Sequence, residues 1–142
     1  MNRLHRIVIA VSGAALLAAC GSEQLVQFTA TEPPEPASAR LFLGSAEVTQ
    51  HVPLNAGQTH RLEVRLYAAN GVRVTGYDDH FELAIELTPA SLATATAVAG
   101  APLFKDLTAA ATPGDAGSLR VASFHAHTMT GRTFGPFDVL IH

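Results

Sequence analysis

The chain predicts an all-β fold, an antiparallel β-sandwich of seven or eight short strands, on three observations. Leu62, Val64, Leu66 and Ala68 alternate with Arg61, Glu63, Arg65 and Tyr67, and Phe81, Leu83, Ile85 and Leu87 alternate with residues that include Glu82 and Glu86. A period of two is the mark of a strand with one buried and one wet face. Turn formers separate such segments at short, regular spacing, and no stretch after residue 20 holds a convincing helical period.

The elements follow in order. The chain opens on Met1-Asn2-Arg3-Leu4-His5-Arg6 and continues with an apolar run, Ile7–Ala19, of 13 residues that ends in Leu17-Ala18-Ala19-Cys20. As a helix the run reaches about 20 Å, short of the roughly 30 Å hydrocarbon core of a bilayer. A basic start, a short apolar stretch and small residues at its end are the layout of a secretory signal. Cys20 is the only cysteine and stands at the end of that layout. Together these residues resemble the signal peptide and lipobox of bacterial lipoproteins. The resemblance implies cleavage before Cys20, a diacylglycerol on its sulfur, palmitate among the acyl chains, and membrane attachment outside the cytoplasm. Gly21 follows the cysteine where an Asp favours retention in the inner membrane of enteric bacteria, so the outer membrane is favoured. Two or three acyl chains give durable anchoring, since each buried CH₂ contributes about 0.8 kcal/mol.

Residues 20–38 read as the lipidated cysteine and a tether. Thr31-Glu32-Pro33-Pro34-Glu35-Pro36 cannot form helix and should extend at about 3.1 Å per residue. Leu25-Val26-Gln27-Phe28 offers the alternative of a first edge strand. The division expected is therefore 1–19 signal peptide, 20–38 tether and 39–142 sandwich. Within the sandwich, Leu41–Leu43 and Glu47–Thr49 are short β-prone runs, and His51 beside Pro53 reads as loop. His60–Ala69 is the clearest strand. Asn70-Gly71 then signals a hairpin returning through Val72-Arg73-Val74. Phe81–Leu87 ends at Pro89; Ala93–Val98 and Leu103–Thr108 follow; Pro113–Gly117 is a turn; Ser118–Thr128 and Phe137–Ile141 close the domain.

The passage Thr88-Pro89-Ala90-Ser91-Leu92-Ala93-Thr94-Ala95-Thr96, followed by Gly100, Leu107-Thr108-Ala109 and residues 113–121, is similar to the order of a small-residue strand and glycine turn in bacterial Ig-like domains. The resemblance spans about residues 40–142 and implies an Ig-like sandwich, often adhesive or architectural. The tryptophan of antibody-type domains is missing, as the chain has no Trp.

Charge and cysteine usage narrow the function. Loss of Arg3 and Arg6 with the signal leaves seven basic residues against twelve acidic ones, a net charge of −5 over 123 residues. That sign, with Lys105 the sole lysine, opposes nucleic-acid binding. With one cysteine, no internal disulfide can form, so the domain relies on its core.

Six histidines remain after the signal: His51, His60, His80, His125, His127 and His142. In a strand, His125 and His127 put two imidazoles on one face. His80, in Asp78-Asp79-His80, and His142, if the last two strands pair, would complete a Zn²⁺ or Cu²⁺ site. The competing reading starts from Leu119 and Val121, which share the parity of His125 and His127. Without a change of face these histidines sit at the core rim and hydrogen-bond there; with a bulge near Ser123 they face solvent. His60 reads as a satisfied edge residue. Asp78-Asp79 lacks the oxygen cage Ca²⁺ needs and reads as a turn cap, and Gly114-Asp115-Ala116-Gly117-Ser118 as a turn. No phosphate loop, dinucleotide fingerprint, HExxH or G-x-S-x-G motif is present, and no carboxylate pair has a reason to be buried for acid–base work. The expectation is a non-catalytic, lipid-anchored binding or structural module of the cell envelope with no resident cofactor. Its partner is an envelope protein or glycan, or a larger envelope machine to which it is an accessory. The second reading is a periplasmic metal-binding lipoprotein.

Overall fold

The longest alternating run of the sequence becomes the central strand of one sheet. In the computed structural model, which describes residues 34–75, 81–126 and 129–142, nine strands are formed: β1 (Ser38–Leu43), β2 (Ala46–Glu47), β3 (His51–Leu54), β4 (Thr59–Tyr67), β5 (Phe81–Thr88), β6 (Ala93–Ala97), β7 (Phe104–Ala109), β8 (Ala116–His125) and β9 (Thr130–Ile141). The signal, Cys20, the tether up to residue 33, Asp78-Asp79-His80 and His127 lie outside the described residues. A five-stranded sheet has the order β2-β1-β4-β7-β6, and a four-stranded sheet the order β3-β9-β8-β5. The fold is an all-β sandwich. Among the described residues no helix is long and apolar enough to cross a membrane.

Along β4 the alternation does what the sequence requires. Leu62, Val64 and Leu66 are fully buried while Arg61 is exposed and Glu63, Arg65 and Tyr67 are half-buried. They meet Leu41 from β1, Leu107 from β7, Leu119 and Val121 from β8, and Val139 and Ile141 from β9 in one apolar cluster between the sheets. Each such side chain stabilises the fold by about 1.5–3 kcal/mol relative to exposure, and with no disulfide this cluster is the main source of stability.

Four expectations need correction. First, the sandwich is not wholly antiparallel: β3 pairs β9 in parallel, from His51↔Asp138 to Leu54↔Ile141. The short segment after β2 carries the chain from one sheet to the other, so β3 arrives beside β9 already running the same way. His51 is thus in a strand rather than a loop. Pro53, which lacks an N–H, is tolerated because β3 is an edge. Second, Asn70-Gly71 makes the turn, with Gly71 at φ +79°, but the returning chain pairs only through the single bridge Tyr67↔Arg73. Third, the irregularity in β8 is not near Ser123. Leu119 faces Phe137 and Val121 faces Phe134, so β9 carries the extra residue. Gly135 sits there at φ +105°, where a Cβ would come within 2.9 Å of the Leu119 carbonyl oxygen. Fourth, the Pro-rich segment is already part of the domain at its C-terminal end: Pro36 is buried and the Ala37 N–H donates to the Tyr67 carbonyl at 2.7 Å.

Candidate functional site

β8 keeps one face throughout. Leu119, Val121, Ser123 and His125 are all buried, and Phe124 between the last two is exposed. His125, 2% exposed, therefore lies at the rim of the core, the arrangement expected when the strand does not change face. Its ring stacks on Phe81 at 4.2 Å between centroids and 21° between planes. Its Nδ1 lies 2.6 Å from Glu35 Oε1. A carboxylate offers only acceptors, so Nδ1 carries the proton. The Thr130 hydroxyl donates to the same oxygen at 3.3 Å. Three parts of the chain thus meet here: the proline segment through Glu35, the start of β5 through Phe81, and the β8–β9 ribbon through His125 and Thr130.

Glu35 is the residue that sequence reasoning missed. Its proline neighbours put it in the tether. The signal that points to it is indirect: a histidine on the buried parity of a strand needs a polar partner, and buried polar groups find one.

The other histidines do not join this point. The pairing of β8 with β9 does form, but it is antiparallel, with His125 opposite Thr130 and Ala116 opposite Leu140. His142, beyond Ile141, is therefore at the opposite end of the ribbon from His125, which corrects the expected four-histidine grouping. His142 is exposed, and its ring meets that of His51 edge-on at 6.5 Å. His60 is satisfied as expected, its Nε2 accepting the Asn55 N–H at 2.9 Å. His80 and His127 lie outside the described residues. Among the described residues no three His, Cys, Asp or Glu side chains gather to hold a metal ion.

A second feature covers the outer face of the five-stranded sheet. Arg61 forks onto Asp106 at 2.9 and 3.0 Å, and Arg65 onto Glu63 at 2.8 and 2.7 Å. Arg73 reaches Glu63 at 2.9 Å. Arg65 also lies over the Phe42 ring at 3.7 Å, and Arg40 over Tyr67 at 4.8 Å. Hydrogen bonding from Arg65 holds the Glu63 carboxyl below its ordinary range against the opposing effect of burial. The Arg61 hydrogen bond does the same for Asp106. Four of the domain's cations are thus matched by carboxylates or aromatic rings on this face.

A third feature is a pair of hollows. On the β5/β6 side, a groove of about 470 Å³ lies between Phe81-Glu82-Leu83 and residues that include Ala97, Val98 and Lys105. A separate hollow of about 280 Å³ is lined by Ile85, Leu87 and Ala93–Ala95.

A scan against protein-family models finds no match to this chain, and a search of curated proteins finds none.

Proposed function

We propose that the chain is a membrane-anchored extracytoplasmic lipoprotein whose Ig-like sandwich serves as a non-catalytic binding or structural module of the cell envelope. The observation that carries this reading is Leu17-Ala18-Ala19-Cys20 behind a basic start and a 13-residue apolar run, followed by a β-sandwich. Attachment is through lipid on Cys20, with the outer membrane favoured. A partner protein or glycan is met through a strand edge or loop tips, where backbone groups and adaptable side chains are available.

Two measurements test it. Labelled palmitate should enter the wild-type chain and not the Cys20→Ser variant, and equal labelling of both removes the anchor. Pull-down from envelope extracts should enrich the same partner in independent preparations. Consistent failure to do so removes the binding role.

A further inference from the structure

His51 and His142 are far apart in sequence yet share one patch of outer surface. β3 pairs β9 in parallel, from His51↔Asp138 to Leu54↔Ile141. Val52, Leu54, Val139 and Ile141 are buried. Alternation therefore puts His51 and Asp138 on the outer face, with His142, next after Ile141, on the same face. The backbone of His142 is held in place: its N–H donates to the Leu54 carbonyl at 2.7 Å, and its carbonyl accepts from the Ala56 N–H at 2.9 Å. Both side chains are exposed, and the rings meet edge-on at 6.5 Å between centroids and 80° between planes. Among the described residues neither ring makes a hydrogen bond or an ion pair. His60 and His125 differ, since Nε2 of the first accepts the Asn55 N–H and Nδ1 of the second engages Glu35.

We propose that His51 and His142 form a surface site for a divalent late transition metal, Cu²⁺ above all, with water in the remaining positions. Imidazole suits Cu²⁺, Ni²⁺ and Zn²⁺, and Cu²⁺ holds a given nitrogen set most tightly of the three. A metal–nitrogen bond of about 2.0–2.1 Å plus the distance from nitrogen to ring centre puts each centroid about 3.2 Å from the ion. Two rings on one ion then have centroids roughly 4.5–6.4 Å apart, from adjacent to opposite positions. The observed 6.5 Å lies just outside that range, and small rotations of two exposed side chains close the gap. An edge-on approach also brings the perimeter of one ring, where the nitrogens are, toward the other. Two imidazoles with water satisfy the tetragonal preference of Cu²⁺, so no third protein ligand is required. Because both rings start from paired strands, binding to one presents the other at high effective concentration. Asp138, the exposed register partner of His51, adds a negative charge that favours a cation on this face. The site is separate from the buried ring of His125, and it stands whether or not Cys20 carries lipid.

Calorimetric titration of the full chain with Cu²⁺ decides it, in a Cys20→Ser background so that no thiol competes. One ion should bind per chain, and His51→Ala and His142→Ala should each weaken binding at least about tenfold. His60→Ala should leave the affinity unchanged. Pulsed electron spin resonance of the bound ion should show two imidazoles in the parent chain and one in each of the two weakened variants. All four chains should unfold at the same urea concentration, so that lost binding is not lost fold. Unchanged affinity in either His51→Ala or His142→Ala overturns the proposal. So does a two-imidazole signal that survives in the His51→Ala/His142→Ala double variant, because other histidines then hold the ion. One ion per two chains overturns it as well, because a second copy then supplies a ligand.

Discussion

At one end of the β8–β9 ribbon, His125 is shut away, stacked on Phe81 and hydrogen-bonded to Glu35. At the other, His142 is exposed, with the edge of the His51 ring beside it. Both are imidazoles on the same pair of strands. What separates them is parity and what the rest of the chain brings over them. His125 continues the buried row of Leu119, Val121 and Ser123, and the proline segment supplies a carboxylate on top. His142 lies past the last buried residue, where its backbone, not its ring, is engaged: its N–H donates to Leu54 and its carbonyl accepts from Ala56. A histidine count therefore measures neither ligands nor surface polarity until strand parity and cover are known.

The contrast can be broken experimentally. The largest effect is expected near the His142 end, where backbone packing does the holding. Gly117 opposes Val139, and a Cβ there would overlap the Thr88 carbonyl oxygen and press on Leu92 and Pro89. Gly117→Ala should cost about 3 kcal/mol in urea unfolding; a change below about 1 kcal/mol would show that the approach of β8 to Thr88 is looser than described. At the other end, His125→Ala removes a buried ring and its hydrogen bond, and a loss of about 2 kcal/mol is expected. Glu35→Ala should cost about 1–2 kcal/mol. The double variant should fall short of the sum by about 1 kcal/mol; strict additivity would mean that the two side chains do not act together.

A smaller effect belongs to the outer face, away from both ends. Glu63 has its carboxyl held below the ordinary 4.5 by Arg65. A depressed carboxylate stabilises the fold fully above its unfolded value, and the contribution fades as pH falls through the folded one. Glu63→Gln should therefore be about 1 kcal/mol less stable near neutrality, with the gap closing below about pH 4.5. A gap that persists into acid would assign the loss to packing. The smallest effects are expected for His51→Ala and His142→Ala, each within about 0.5 kcal/mol. If either matches His125→Ala, the comparison between the two ends fails.

The sandwich was legible because β4 and β5 alternate cleanly, and because Pro89, Gly100 and Pro113–Asp115 punctuate the chain where strands stop; the turn expected to run through Gly117 and Ser118 ends sooner, since β8 begins at Ala116 and pairs β9 from there. β9 was read only from Phe137 on, since Gly131, Gly135 and Pro136 interrupt its pattern. Gly135 and Pro136 accommodate the bulge against Leu119, which depends on a partner strand the local sequence does not contain. The parallel placement of β3 was hidden for the same reason, because register and direction are set by the neighbour. At the candidate site, the burial of His125 was available from parity with Leu119 and Val121. Glu35 was not, as 90 residues separate it from His125 and prolines alone suggested a solvated spacer.

The placement of the two ends has a mechanical consequence. The Glu35 carboxylate meets His125 at one end of the β8–β9 ribbon, and the Leu140 side of β9 lies at the other. A pull between these points runs along the strands, while ladder hydrogen bonds lie across them. The load then falls on many bonds in shear at once, rather than peeling them open singly from one edge.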